Sequence, residues 1–152
     1  MSDAITGGRY VLISPCRNEA AYIQRTLDSV LAQTVLPVLW VIVDDGSIDG
    51  TGEILSAYAA RHDFIHVVTR NDRGHRSVGP GVVEAFYAGL EHVNLSNFPY
   101  LCKLDLDLDL PQGYFEELMR RMEAEPRLGS CSGKPYFRGP SGTWVSERCG
   151  DE

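Results

Sequence analysis

Residues 39–51 read LWVIVDDGSIDGT. Leu39, Trp40, Val41, Ile42 and Val43 form an apolar run without polar alternation, as in a strand buried on both faces. Two carboxylates, Asp44 and Asp45, stand where the run stops. Gly46 permits a tight turn, and Asp49 can cap a following helix. Ile54, Leu55, Tyr58 and Ala59 then recur at helical spacing. The stretch is a strand–turn–helix joint, and the fold depends on whether the chain repeats it.

It does. Upstream, YVLIS (10–14) reads as a buried strand, followed by helical spacing of Ile23, Leu27, Val30 and Leu31. Downstream, FIHVVT (64–69) is a strand, and Val82, Val83, Phe86, Tyr87 and Leu90 mark a helix with Pro80 in its first turn. YLCKLDL (100–106) is the next strand. Tyr114, Phe115, Leu118, Met119 and Met122 mark a helix ended by Pro126. Alternating strands and helices predict an α/β fold with a parallel sheet flanked by helices. The segment at 128–137 has room for one more strand, and the turn-rich tail follows. Residues 1–152 are expected to form a single domain, with residues 1–8 as a flexible N-terminus.

The bulk numbers agree with one folded domain. The chain has 152 residues, 43% apolar and 23% charged, enough for a core. A net charge of −7 argues against a nucleic-acid partner, whose phosphates attract basic faces. The apolar run from Val35 to Val43, broken by Pro37, is too short to cross a bilayer. The opening MSDAITGG lacks the basic and apolar regions of a secretion signal. Cys16, Cys102, Cys131 and Cys149 form no CxxC pair and read as reduced thiols, which suits the cytoplasm or the cytoplasmic face of a membrane.

In parallel sheets, ligands gather beyond the carboxyl ends of the strands. The polar clusters fall there. PCRNE (15–19) follows the first strand, where Asn18 suits a helix cap and Glu19 the positive helix end. DDGSIDGT (44–51) follows the second. RNDRGHR (70–76) follows the third, and Arg73 and Arg76 carry guanidinium groups suited to phosphate. His75 reads as a surface residue.

The fourth cluster is CKLDLDLDLPQGY (102–114). On an extended chain, Asp105, Asp107 and Asp109 would share one face, about 7 Å apart, opposite Leu104, Leu106, Leu108 and Leu110. Like charges so placed repel unless a cation compensates. Mg²⁺ or Mn²⁺ uses one or two carboxylates together with substrate phosphates. A calcium-binding EF-hand loop fits Asp105, Asp107, Asp109 and Glu116 but places Leu110 where glycine is required. A phosphatase DxDGT motif fails because Asp44 and Asp45 are adjacent.

Taken in order, these clusters resemble the family 2 glycosyltransferases of the GT-A fold: PCRNE, VDDGSIDGT, AFYAGL, then KLDLDLDLPQGYFEEL with its D-x-D. The resemblance covers roughly residues 9–135 and implies a Rossmann-like GT-A sheet, cut off before the acceptor half, of which residues 138–152 would be the start. It also implies that Asp44 holds the nucleotide base, with Asp45 beside it. Pro15, Arg17 and Glu19 would line the nucleoside pocket; Arg73 is expected to meet the diphosphate from the chemistry of its own basic loop. Asp105 would sit near ribose and metal, and Asp107 would bind the metal. Pro111 favours Asp105 with Asp107 over Asp107 with Asp109. Arg17 and Tyr87 depart from a common aromatic and a frequent asparagine of the family.

The expected activity is that of an inverting, metal-dependent glycosyltransferase of the hexosyltransferase type. It would move a sugar from a nucleotide-diphosphate donor to a saccharide or lipid-linked acceptor. The general base is expected beyond Glu152, so this chain alone would be inactive. A nucleotidyltransferase is the competing enzyme, although PCRNE lacks the glycine its loop wants. A non-catalytic nucleotide- or calcium-binding module is the competing binding protein.

Overall fold

A computed structural model describes residues 9–71 and 80–146. Four parallel strands form the main sheet: β1 (Tyr10–Cys16), β2 (Leu39–Asp44), β3 (Ile65–Thr69) and β4 (Tyr100–Lys103), in the order β3-β2-β1-β4. Four helices connect or follow them: α1 (Ile23–Leu31), α2 (Thr51–Ala59), α3 (Pro80–Leu90) and α4 (Tyr114–Ala124). β5 (Tyr136–Arg138) and β6 (Trp144–Ser146) pair separately as an antiparallel hairpin.

The continuous apolar runs became the two central strands. Every β1 residue is buried, as are the β2 residues from Trp40 to Asp44. On one face Tyr10, Leu12, Trp40 and Ile42 pack with Ile23, Leu27 and Val30 of α1, Leu55 and Tyr58 of α2, and Phe115 and Met119 of α4. On the other face Ile13, Val41 and Val43 meet Ala85 of α3. Two buried polar side chains of the larger core find partners, whereas the buried Thr26 hydroxyl of α1 has none among the described residues. Trp40 Nε1 donates to Ser14 Oγ at 2.9 Å, and Tyr10 Oη donates to the Val35 carbonyl at 2.9 Å. Burial drives the Tyr10 phenol far above its usual pKa.

The tail differs from the reading of its sequence. A strand does fall at the end of 128–137, but it pairs with a second strand inside the stretch read as turns. Both strands of the hairpin are largely exposed, and Arg138 lies over the Trp144 ring at 5.1 Å.

α3 is rotated relative to the expected face. Gly81, Ala85 and Gly89 are its buried residues, whereas Val83 and Tyr87 are exposed. A Cβ on Gly89 would come within 2.8 Å of Ile13 Cγ2 and 2.9 Å of Val43 Cγ2. The helix sits so close to the sheet that only small residues fit beneath it. Hydropathy alone favours the valines for that face; the packing distance excludes them.

β4 is shorter than expected. It pairs with β1 from Tyr10↔Tyr100 to Ile13↔Lys103 and stops. It is also an edge strand among the described residues, not a central one. An edge strand need not be apolar on both faces, so its exposed aspartates are tolerated there. Past Lys103 the Leu104 N–H still donates to the Ile13 carbonyl at 3.1 Å. Leu104 and Leu106 are buried in the larger core, while Asp105, Asp107 and Asp109 are exposed. The alternation survives for two leucines; then the chain turns at Asp107, and Leu108 is exposed.

Candidate functional site

The strand order places β4 beside β1, on the side opposite β2 and β3. The chain returns from β3 through α3 to the far side of β1, so the strand order switches at the β1–β4 boundary, where α/β sheets open a crevice at their carboxyl ends. A cleft of about 230 Å³ lies there. Pro15, Cys16, Arg17, Glu19 and Asp45 form one wall. Lys103, Asp105, Leu106 and Asp107 form the facing wall. Gly81, Val82 and Ala85 of α3 complete it.

Two turns build the first wall and are laced together. Asn18 adopts φ 55°, the left-handed region that asparagine tolerates better than most residues. Its Oδ1 accepts the Ile48 N–H at 2.9 Å, and its own N–H donates to Ser47 Oγ at 2.9 Å. The Glu19 N–H donates to Thr51 Oγ1 at 3.0 Å, and the Ala20 N–H to Asp49 Oδ2 at 3.1 Å. Asn18 thus bridges turns and does not cap α1, whose first residue is Ile23. Asp49 does serve the start of α2: its Oδ1 accepts from the Thr51 N–H at 3.1 Å and the Thr51 hydroxyl at 2.6 Å. Desolvation opposes its charge, but the bonds from Thr51 and Ala20 win and lower its pKa.

Asp44 and Asp45 take different places. Asp44 is 3% exposed, and its Oδ1 accepts the Ser47 N–H at 2.9 Å. Its other oxygen faces the first turn of α2, where a Cβ on Gly52 would lie 3.3 Å away. Asp44 therefore shapes the turn from beneath, and Asp45 is the carboxylate that borders the cleft. Arg17 Nη1 donates to the Asp45 carbonyl, and Arg70 Nη1 stands 3.1 Å from Asp45 Oδ1. Arg70 also reaches Glu84 of α3 at 3.7 Å. The network ties the ends of β1, β2 and β3 to the third helix.

On the second wall Lys103 Nζ lies 2.5 Å from Asp105 Oδ1. The segment after Asp109 is pinned by a residue the sequence reading did not single out. Buried Gln33 donates through Nε2 to the Ser29 carbonyl at 3.0 Å and the Pro111 carbonyl at 2.9 Å. Glu116 accepts from Thr34 Oγ1 at 2.5 Å, so the carboxylate at the last position of the calcium-loop pattern is engaged with the α1 end. Among the described residues no group of three or more His, Cys, Asp or Glu side chains is arranged to hold a metal on its own.

Of the expected site residues, Pro15, Arg17, Glu19, Asp45, Asp105 and Asp107 meet at this cleft. Asp44 lies behind it. Arg73, with Arg76 and His75, lies outside the described residues. Cys16, Lys103, Leu106, Gly81, Val82 and Ala85 were not foreseen. Lys103 stands inside the aspartate motif and could have been read from its charge. Gly81 and Ala85 could not, because small residues carry no hydropathy signal, and Val82 reads only as part of the helix's apolar pattern. Burial first, then the neighbouring Asp44, Glu19, Asp49 and Asp45 charges, pushes the Cys16 thiol far up. A buried thiol among carboxylates keeps its proton, which disfavours the nucleophilic thiolate. Cys102 is raised to about 11 by burial and by Cys131.

The family model "Glycosyl transferase family 2" matches residues 11–149. Poly-beta-1,6-N-acetyl-D-glucosamine synthase of Staphylococcus aureus (strain COL) is 29% identical over 140 residues, which span 91% of this chain and 31% of the relative. The Staphylococcus epidermidis protein of the same name is 29% identical over 83% of this chain and 28% of its own length. The chain spans about a third of the curated relatives it matches. The crystal structure of S. aureus TarS 1-349 superposes with a TM-score of 0.62 at 21% identity, over 78% of this chain and 33% of that one. The same protein in complex with UDP-GlcNAc gives 0.61 at 19% identity, over 78% and 32%. These likenesses show the GT-A arrangement of the sheet and helices. No helix among the described residues is long and apolar enough to cross a membrane.

Proposed function

Because the chain belongs to glycosyl transferase family 2, we propose that it forms the donor-binding part of an inverting glycosyltransferase that takes its sugar from a nucleoside-diphosphate sugar. The observation that carries this reading is the cleft at the β1–β4 crevice, with the PCRNE and DDGS turns on one wall and Asp105 and Asp107 on the other. The curated relatives' name makes an activated N-acetylglucosamine the first donor to test.

The first wall is assigned to the nucleoside. Asp45 offers a carboxylate to a base N–H or ribose hydroxyl, held in place by Arg70. Arg17 offers a planar face for the base, and Pro15 and Glu19 border it. Asp44 acts through the turn, by accepting the Ser47 N–H. Arg73 is assigned to the diphosphate on the strength of its sequence position.

The second wall is assigned to the diphosphate and a divalent cation. Asp105 and Asp107 present hard oxygen donors, the type that Mn²⁺ and Mg²⁺ take. Lys103 shows that the wall accommodates positive charge. Two carboxylates without a third ligand suit an ion that shares its shell with substrate phosphates. Bound there, the metal would supply Lewis-acid neutralisation of the leaving diphosphate. In the transfer, the acceptor oxygen attacks the anomeric carbon from the face opposite the diphosphate and inverts it. The acceptor, a saccharide or a lipid-linked glycan, loses its proton to a general base. No described cleft residue is given that role. The free thiols of Cys16, Cys102 and Cys131 support a cytoplasmic setting.

Calorimetric titration with UDP, GDP, dTDP and CDP, each with Mn²⁺ and with chelator, tests the reading. One nucleotide should bind, and chelator should weaken it at least tenfold. A folded sample that binds none of the four would refute the donor site.

A further inference from the structure

Lys103 is the last residue of β4 and lines the cleft beside the aspartates. Its ammonium sits against Asp105 at 2.5 Å, and both side chains line the cleft. They are 43% and 55% exposed, so water screens the pair and its hold is weak. The wall around it is acidic, with Glu19 and Asp45 opposite and Asp107 beyond.

The backbone on either side is fixed. The Leu104 N–H is bonded to the Ile13 carbonyl, and Leu104 and Leu106 are buried at 5% and 2% exposure. Lys103 and Asp105 therefore stay on the cleft side while only the flexible four-carbon stem of the lysine moves. A divalent cation brings twice the charge of the ammonium to the same carboxylate. A diphosphate entering the cleft brings negative charge within reach of the lysine once it leaves Asp105.

We infer that Lys103 is an exchangeable counter-ion of the metal-binding wall. It neutralises Asp105 when no divalent cation is present and competes with that cation for the carboxylate. When displaced, it gives its ammonium to the donor's diphosphate. Metal binding and diphosphate binding are then coupled through one side chain, and each must strengthen the other by the same factor. This inference rests on the donor-site reading above.

The test uses the whole chain with Lys103→Met and Lys103→Arg, each checked for an unchanged melting curve. MnCl₂ alone is titrated first, then UDP at saturating Mn²⁺. Lys103→Met should bind Mn²⁺ about 2- to 5-fold tighter than the unchanged chain, the worth of an exposed pair. It should then bind UDP about 10-fold weaker, the worth of a charged hydrogen bond. Lys103→Arg keeps the charge and should stay near the unchanged chain in the first titration. Equal or weaker Mn²⁺ binding by Lys103→Met overturns the competition, and equal UDP binding overturns the transfer. If the unchanged chain binds UDP with Mn²⁺ and Lys103→Met matches it in both titrations, only this inference falls. If the unchanged chain binds neither, the donor-site reading falls and takes the inference with it.

Discussion

Asn18 accepts the backbone N–H of Ile48 at 2.9 Å while holding φ 55°. One side chain thereby fixes the separation of the two turns that form the nucleoside wall. Asn18→Ala removes the bond and leaves an alanine in the left-handed region, at a cost of about 2 kcal/mol. Asn18→Gly relieves the backbone and should recover about half of the loss. Urea denaturation midpoints measure both, with the order unchanged chain, glycine, alanine expected.

Gly89 lies where a Cβ would stand 2.8 Å from Ile13 and 2.9 Å from Val43 methyl groups. Those methyls are attached directly to Cβ atoms of fully buried residues and have little room to move. Gly89→Ala should cost about 1–3 kcal/mol by overpacking, even though alanine is the better helix former. A thermal melt decides the sign.

Asp49 has its pKa lowered: desolvation acts against the charge, but the hydrogen bonds from Thr51 and Ala20 outweigh it. A depressed carboxylate contributes stability above its unfolded value, 3.8, and loses it as pH falls through the lower folded value. Asp49→Asn should therefore lower stability at neutral pH, and the gap should close below about pH 4. Denaturation midpoints from pH 7 to pH 2 show whether the curves converge.

Asp107 is exposed, sits in a turn, and borders the cleft. Asp107→Asn should change stability by less than about 0.5 kcal/mol, as exposed substitutions do. Nucleotide affinity in Mn²⁺ should fall to the level seen with chelator. Retained metal dependence in this variant would remove Asp107 from the metal site.

The sheet was legible because its central strands are unbroken apolar runs and its helices carry periodic apolar residues. Val41 and Ile42 could hardly belong anywhere but a buried strand. The failures have physical causes. Val83 and Tyr87 mark the helix by their spacing, but a helix that approaches the sheet through Gly81, Ala85 and Gly89 turns them outward. The alternation extends the fourth strand to Leu106, but its pairing with β1 ends at Ile13↔Lys103, although β1 runs on to Cys16, because the chain turns at Leu106 and Asp107. Asn18 has the composition of a cap; its use as a bridge depends on Ile48, 30 residues away, which no local pattern reports. The candidate site was legible as clusters at strand ends. Which of Asp44 and Asp45 would face the cleft was not, because that depends on how the turn after β2 folds back on α2.

The central claim is that the donor sits in the crevice between the β1–β2 turns and the end of β4. The most direct measurement is ¹H–¹⁵N NMR of the labelled chain, titrated with UDP in Mg²⁺. The account predicts saturable shifts at the amides of Arg17, Glu19, Asp45, Lys103 and Asp107, with the β5–β6 hairpin undisturbed. Shifts confined to the hairpin around Trp144, or saturable UDP binding that leaves those five amides unmoved, would contradict it.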